Sequence, residues 1–128
     1  MINTHAGSEK WTPLTPAVFH ILLALSAQDL HGYAIMQQIA QDTGGRFRMG
    51  PGTLYGSIKR MLTDNLIEEC EERPTVDTDD ERRRYYRITE DGHQALRSEA
   101  SRIARAVKIA QRRNLLPARI RVRSTTYN

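Results

Sequence analysis

Cysteine is nearly missing from this chain. Among its 128 residues only Cys70 carries a thiol, so no internal disulfide can form. A lone thiol fits a reducing compartment, and its place in an expected strand gives it a packing role. Long apolar runs are missing too. The longest, from Val18 to Leu25, is broken by His20 and falls far short of the ~18 residues that a membrane span needs. A buried helix explains it better. The opening residues, MINTHAGSEKW, lack the charged-then-apolar order of a signal peptide. The expected location is cytoplasmic, with no membrane partner.

The apparatus of catalysis is scarce as well. His5, His20, His31 and His93 are scattered, and none has a metal-ligand partner at helical spacing. No Gly-x-Ser-x-Gly stretch occurs, and GGRFRMGPG lacks the Lys-Ser/Thr that completes a phosphate-binding loop. His31 reads as a helix cap rather than a base. The expectation is therefore no enzyme, no catalytic residue, no metal and no cofactor.

What the chain does have is positive charge in clusters. The net charge is +4 and the pI about 9.6, modest values that decide little alone. Their distribution says more. Arg82, Arg83, Arg84 and Arg87 surround two tyrosines, and Arg112, Arg113, Arg119, Arg121 and Arg123 crowd the C-terminal end. Acidic residues gather instead at Glu68–Glu72 and Asp77–Glu81. Basic clusters of this kind attract phosphate backbones, although a solvated surface is the plainer alternative.

The length suits one compact domain. Thr15-Pro16 announces a first helix, a good N-cap followed by the residue favoured at the first helical position. Val18, Ile21, Leu22 and Leu25 then recur with helical period. After a short polar break over Gln28–His31, a second helix is expected from Gly32 to Thr43, ended by Gly44-Gly45. Pro51 starts a third, closed at Asp64-Asn65. Two strands are expected at Leu66–Glu71 and Arg83–Ile88, joined by a mobile loop that holds Pro74. Thr89 caps a last helix running to about Asn114, with Glu90 and Asp91 placed well for its dipole. From Leu115 onward the expectation is a trailing tail.

Within the third helix, MGPGTLYGSIKRML, Gly52 and Gly56 stand out. Each costs roughly 1 kcal/mol relative to alanine in a helix interior. Leu54, Ile58, Met61 and Leu62 can bind this helix to the first two. The opposite side then shows Gly52, Thr53, Tyr55, Gly56, Ser57, Lys59 and Arg60. Small residues there let the backbone approach another surface, and a major groove admits a helix. The alternative is that the glycines admit a neighbouring helix inside the protein. Three helices followed by a hairpin is the order of a winged helix-turn-helix, so the expected class is mainly α with a small β-hairpin.

LTPAVFHILLAL, LHGYAIMQQI, GPGTLYGSIKRMLTDNLIEE and RRRYYRITEDG, in that order, resemble the PadR family of bacterial transcriptional regulators. The likeness runs from about Leu14 to Arg113. It implies a winged helix-turn-helix domain (residues 14–90) between an N-terminal extension (1–13) and a long dimerisation helix (91–114), with a basic tail (115–128). The implied function is binding of double-stranded DNA at an inverted-repeat operator as a homodimer, usually in repression. Carried over by motif, Thr53, Tyr55, Gly56, Lys59 and Arg60 meet the duplex from the recognition helix. Arg82, Arg83 and Arg84 meet phosphate or the minor groove from the wing, while Tyr85 and Tyr86 are largely structural. The acidic DTDDE before those arginines departs from the family pattern, which puts DNA contact at the wing's base and not at its tip. Asn65 stands where glycine is usual.

In the last helix Leu96, Ala100, Ile103, Val107 and Ala110 are spaced four, three, four and three, an a/d seam for lengthwise packing. This is the expected dimerisation surface, with packing on its own domain as the alternative. Some relatives bind aromatic effectors there, held by aromatic side chains of this helix. Ala95–Arg113 contains none, and the single tryptophan, Trp11, precedes helix one. A small-molecule effector is left open. The competing function is a winged-helix module for protein or RNA, but Tyr55 alone is a thin platform for unpaired bases.

Overall fold

The computed structural model describes residues 13–70 and 84–117. Trp11, Arg82, Arg83, the expected hairpin loop and most of the expected tail lie outside the described residues.

Helix α1 spans Pro16–Ala27, and its Thr15 cap accepts the Val18 N–H at 3.2 Å. It buries Val18, Ile21, Leu22, Ala24 and Leu25. The helix is apolar on most sides, so it can sit at the centre and pack against each of the other helices and the sheet. Helix α2 spans Gly32–Asp42 and turns Ile35 and Ile39 inward. His31 is its cap, the ring Nδ1 accepting the Ala34 N–H at 3.2 Å. Gly44 and Gly45 follow with φ of 62° and 80°, the left-handed turn that the glycine pair permits.

Helix α3 spans Pro51–Thr63 and buries Leu54, Ile58 and Met61, with Leu62 half-buried at the edge. It closes as the sequence suggests. Asn65 takes a φ of 62°, and the Leu66 N–H reaches back to the Met61 carbonyl at 2.9 Å. Asparagine tolerates this left-handed conformation better than most residues with a side chain.

The sheet differs from the expected two-stranded ribbon. Leu30–His31, read as a polar break, forms strand β1, and it pairs with β3 (Tyr85–Ile88), which also pairs with β2 (Ile67–Cys70). Both pairings are antiparallel, with Leu30 opposite Tyr86 and Glu69 opposite Tyr86 on the other flank. A two-residue strand carries no periodicity of its own, and only its partner defines it.

Helix α4 spans Glu90–Arg112 beneath its Thr89 cap. The Thr89 hydroxyl donates to the Asn65 carbonyl at 2.6 Å and accepts the Gly92 N–H at 2.9 Å, tying the end of α3 to the start of α4. Gly92 is required at this joint. A Cβ there would meet the Leu66 carbonyl oxygen and lie 2.8 Å from Ile88 Cγ1. Ala95, Leu96 and Glu99 complete the buried part of α4. Past Glu99 the helix has no fully buried residue, although it continues for about 20 Å.

Candidate nucleic-acid interface

The outer side of α3 is built by exclusion. Leu54, Ile58 and Met61 are at most 2% exposed and consume the inner face. Thr53, Tyr55, Gly56, Lys59 and Arg60 are therefore all solvent-facing, as is Gly52, with Ser57 at the margin. A Cβ added at Gly52 or Gly56 would find nothing within 4 Å. Among the described residues neither glycine serves packing, and the helix gives up stability on this face without a gain in the described core. Among the described residues neither Lys59 nor Arg60 has an ion-pair partner, so their charge is directed outward.

Tyr55 is less free than its neighbours. It is 49% exposed, yet its ring lies over Gly32, where strand β1 passes into helix α2. Tyr86, on β3, is close by. Burial raises its phenol above the ordinary value, and the negative charges of Glu69 and of an ionised Tyr55 add to that, against a smaller opposing effect of Arg84. The recognition-helix candidate, the α2 entry and the wing strand thus meet at one tyrosine.

On the wing, Arg84 is largely exposed and its Nη1 lies 3.2 Å from Glu69 Oε2. Arg87 donates to Asp29 at 3.2 Å and lies 3.9 Å from Glu68. The Cys70 thiol donates to the same Asp29 carboxylate at 3.8 Å. Asp29 and Glu68 thus hold Arg87 and Cys70 as a brace between β1 and the rest of the sheet. Tyr86 is in the core, and Tyr85 meets the His31 ring edge-on with centroids 5.4 Å apart. Both tyrosines pack, as the resemblance implies.

Three exposed side chains escaped the sequence reading. Arg46 and Arg48 flank the approach to α3, and Tyr33 is 57% exposed at the start of α2. The signal for the arginines was two cations in a glycine-rich connector. Tyr33 gave no separable signal because it lay inside a motif already assigned to a helix start. Among the described residues no cluster of histidine, cysteine and acidic side chains could hold a metal ion.

The dimerisation candidates fall on two zones. Leu96 belongs to the chain's own core, Ala100 is exposed, and Ile103, Val107 and Ala110 are half-buried. At 100° per residue their stripe is turned by about 50° from the direction that Gly92, Ala95, Leu96 and Glu99 bury. Ile109, Leu115 and Leu116 are exposed near the end of the same helix.

Comparison with known proteins places the fold. The model of the transcriptional regulator PadR-like family fits residues 21–98. A PadR family transcription regulator from hypervirulent Clostridium difficile superposes with a TM-score of 0.64 at 26% identity, covering 80% of this chain and 100% of that one. A transcriptional regulator from Clostridium thermocellum shares the fold, with a TM-score of 0.63 at 24% identity over 74% of this chain and 89% of that one. An uncharacterized 37.1 kDa protein in a Streptomyces fradiae transposon is 38% identical over 85 residues, 66% of this chain; the match spans only 22% of that relative's length. With the family model covering more than half of the sequence, from inside α1 to the middle of α4, the chain belongs to the PadR-like family of transcriptional regulators.

Proposed function

We propose that this regulator is a homodimeric repressor of an inverted-repeat operator, with α3 of each copy in a major groove. Thr53, Tyr55, Gly56, Lys59 and Arg60 face the bases and nearest phosphates. Arg82, Arg83 and Arg84 take flanking phosphate or the minor groove. The second half of α4, through Ala100, Ile103, Val107 and Ala110, pairs with its counterpart, and Leu96 anchors that seam to the core. Two-fold pairing spaces the α3 helices by about one turn of duplex, ~34 Å, and demands a pseudo-palindrome.

The observation that carries this reading is the outer face of α3: two glycines with empty space above them, next to two cations without partners among the described residues. The backbone is left bare where a groove needs room, and donors stand beside it. Effector release is part of the reading only as an open position, because α4 offers no aromatic side chain from Ala95 to Arg113.

The test is selection by the wild-type protein from a random duplex pool, followed by titration of the enriched duplex against salt. The expected result is a pseudo-palindrome whose binding weakens steeply with salt, with single-stranded RNA bound no better than random duplex. Equal affinity for the enriched and scrambled duplexes would leave only charge attraction and end the proposal.

A further inference from the structure

Gly32 carries a constraint that its backbone does not explain. It is the first residue of α2, directly after β1, and its φ is not in the left-handed region. Backbone conformation there permits any residue, and alanine is the better helix former. What excludes a side chain is Tyr55. A Cβ at Gly32 would run into the Tyr55 hydroxyl, would lie 2.8 Å from Cζ and would stand 3.0 Å from Cε1. The obstacle is the far end of one side chain from another helix, half-exposed and able to swing away.

We propose that Gly32 is a positioning residue of the DNA interface, its missing side chain forming the seat that holds the Tyr55 ring against the start of α2. The inference rests on the DNA-binding reading above. Tyr55 leaves α3 one residue before Gly56 and two after Thr53, so the direction of its ring sets the relief of the whole outer face. The seat fixes that direction by contact with an element that is itself anchored. His31 caps α2 and pairs with Tyr85 across the sheet, and Leu30 pairs with Tyr86. A methyl at residue 32 would leave these anchors in place and turn the ring outward into the approaching duplex.

The experiment is a double-mutant cycle of Gly32→Ala and Tyr55→Ala, with binding read on the duplex that the wild-type protein enriches from the random pool. Gly32→Ala alone is expected to lose roughly tenfold in affinity, about the effect of one interface contact, with melting within a few degrees of wild type. In the Tyr55→Ala background the same change is expected to cost nothing further. Wild-type affinity in Gly32→Ala, or an equal loss in both backgrounds, overturns the proposal.

A second readout needs no DNA. A ring seated against Gly32 is expected to shift that residue's amide resonance, and Tyr55→Ala is expected to remove the shift. An unmoved Gly32 resonance overturns the seat. If the wild-type protein enriches no duplex while the resonance moves, the DNA reading fails and takes the interface role with it, and the seat alone survives.

Discussion

Gly56 separates what the fold wants from what the surface is for. Alanine there meets no atom within 4 Å and removes a glycine from a helix interior, so Gly56→Ala is expected to stabilise the protein by about 0.5–1 kcal/mol. The same methyl stands on the proposed groove-facing surface and is expected to weaken duplex binding. Thermal melting and duplex titration of one variant read both, and a variant that gains stability without losing affinity would free this face of any role. Glu69 gives a prediction of opposite sign. It occupies the Arg84 guanidinium at 3.2 Å, which under the proposed function sets it against phosphate for that group. Glu69→Gln is expected to raise duplex affinity and to steepen its salt dependence by up to about one unit of slope, as one more phosphate is neutralised. Unchanged affinity in a salt titration would mean that Arg84 does not reach DNA. At this scale the sequence was readable wherever a residue's role follows from its own helix, as with Leu54, Ile58 and Met61. It was silent on the pairing of Glu69 with Arg84, fifteen positions apart, because only the register of β2 against β3 brings them together.

Among the elements, α4 joins the core to the projecting half of the molecule, and Glu99 is its fastening. The carboxylate is 2% exposed. It accepts Arg102 Nε at 3.0 Å and Nη2 at 2.6 Å. These bonds hold its pKa below the ordinary 4.5, against the effect of burial, with help from the Leu14 backbone N–H ahead of α1. Because the folded state favours the ionised form, its contribution is present above the ordinary carboxylate pKa and is lost as pH falls through the depressed folded value. Glu99→Gln is therefore expected to cost about 1–3 kcal/mol at neutral pH, with the gap from wild type closing below pH ~4.5. Denaturant melts across pH check this, and a gap that persists unchanged at low pH would show that charge plays no part. The helices themselves were legible because caps and stripes are local: Thr15, His31 and Thr89 cap as their positions suggest. Strand β1 was not, since two residues hold no pattern and are strand only through Tyr85 and Tyr86. Nor was the burial of Glu99: Arg102 is its neighbour on the same helix, but the Leu14 backbone reaches it only because α4 lies against the N-terminal approach to α1.

At the scale of the whole molecule, a small core carries two surfaces of different chemistry. The α3 face is polar, cationic and bare of side chains at two glycines. The far half of α4 holds an apolar stripe that is exposed at Ala100 and only half-buried at Ile103, Val107 and Ala110. In the proposed dimer, two copies pair through α4 and hold their α3 faces to one duplex. Affinity cleavage tests that arrangement directly. A metal chelate attached at Thr63→Cys, at the exposed end of α3, in a Cys70→Ser background leaves every proposed contact in place. The account predicts two clusters of strand cuts on the enriched duplex, centred about one helical turn, ~10 base pairs, apart. A single cluster, or cuts scattered evenly along the duplex, would contradict it.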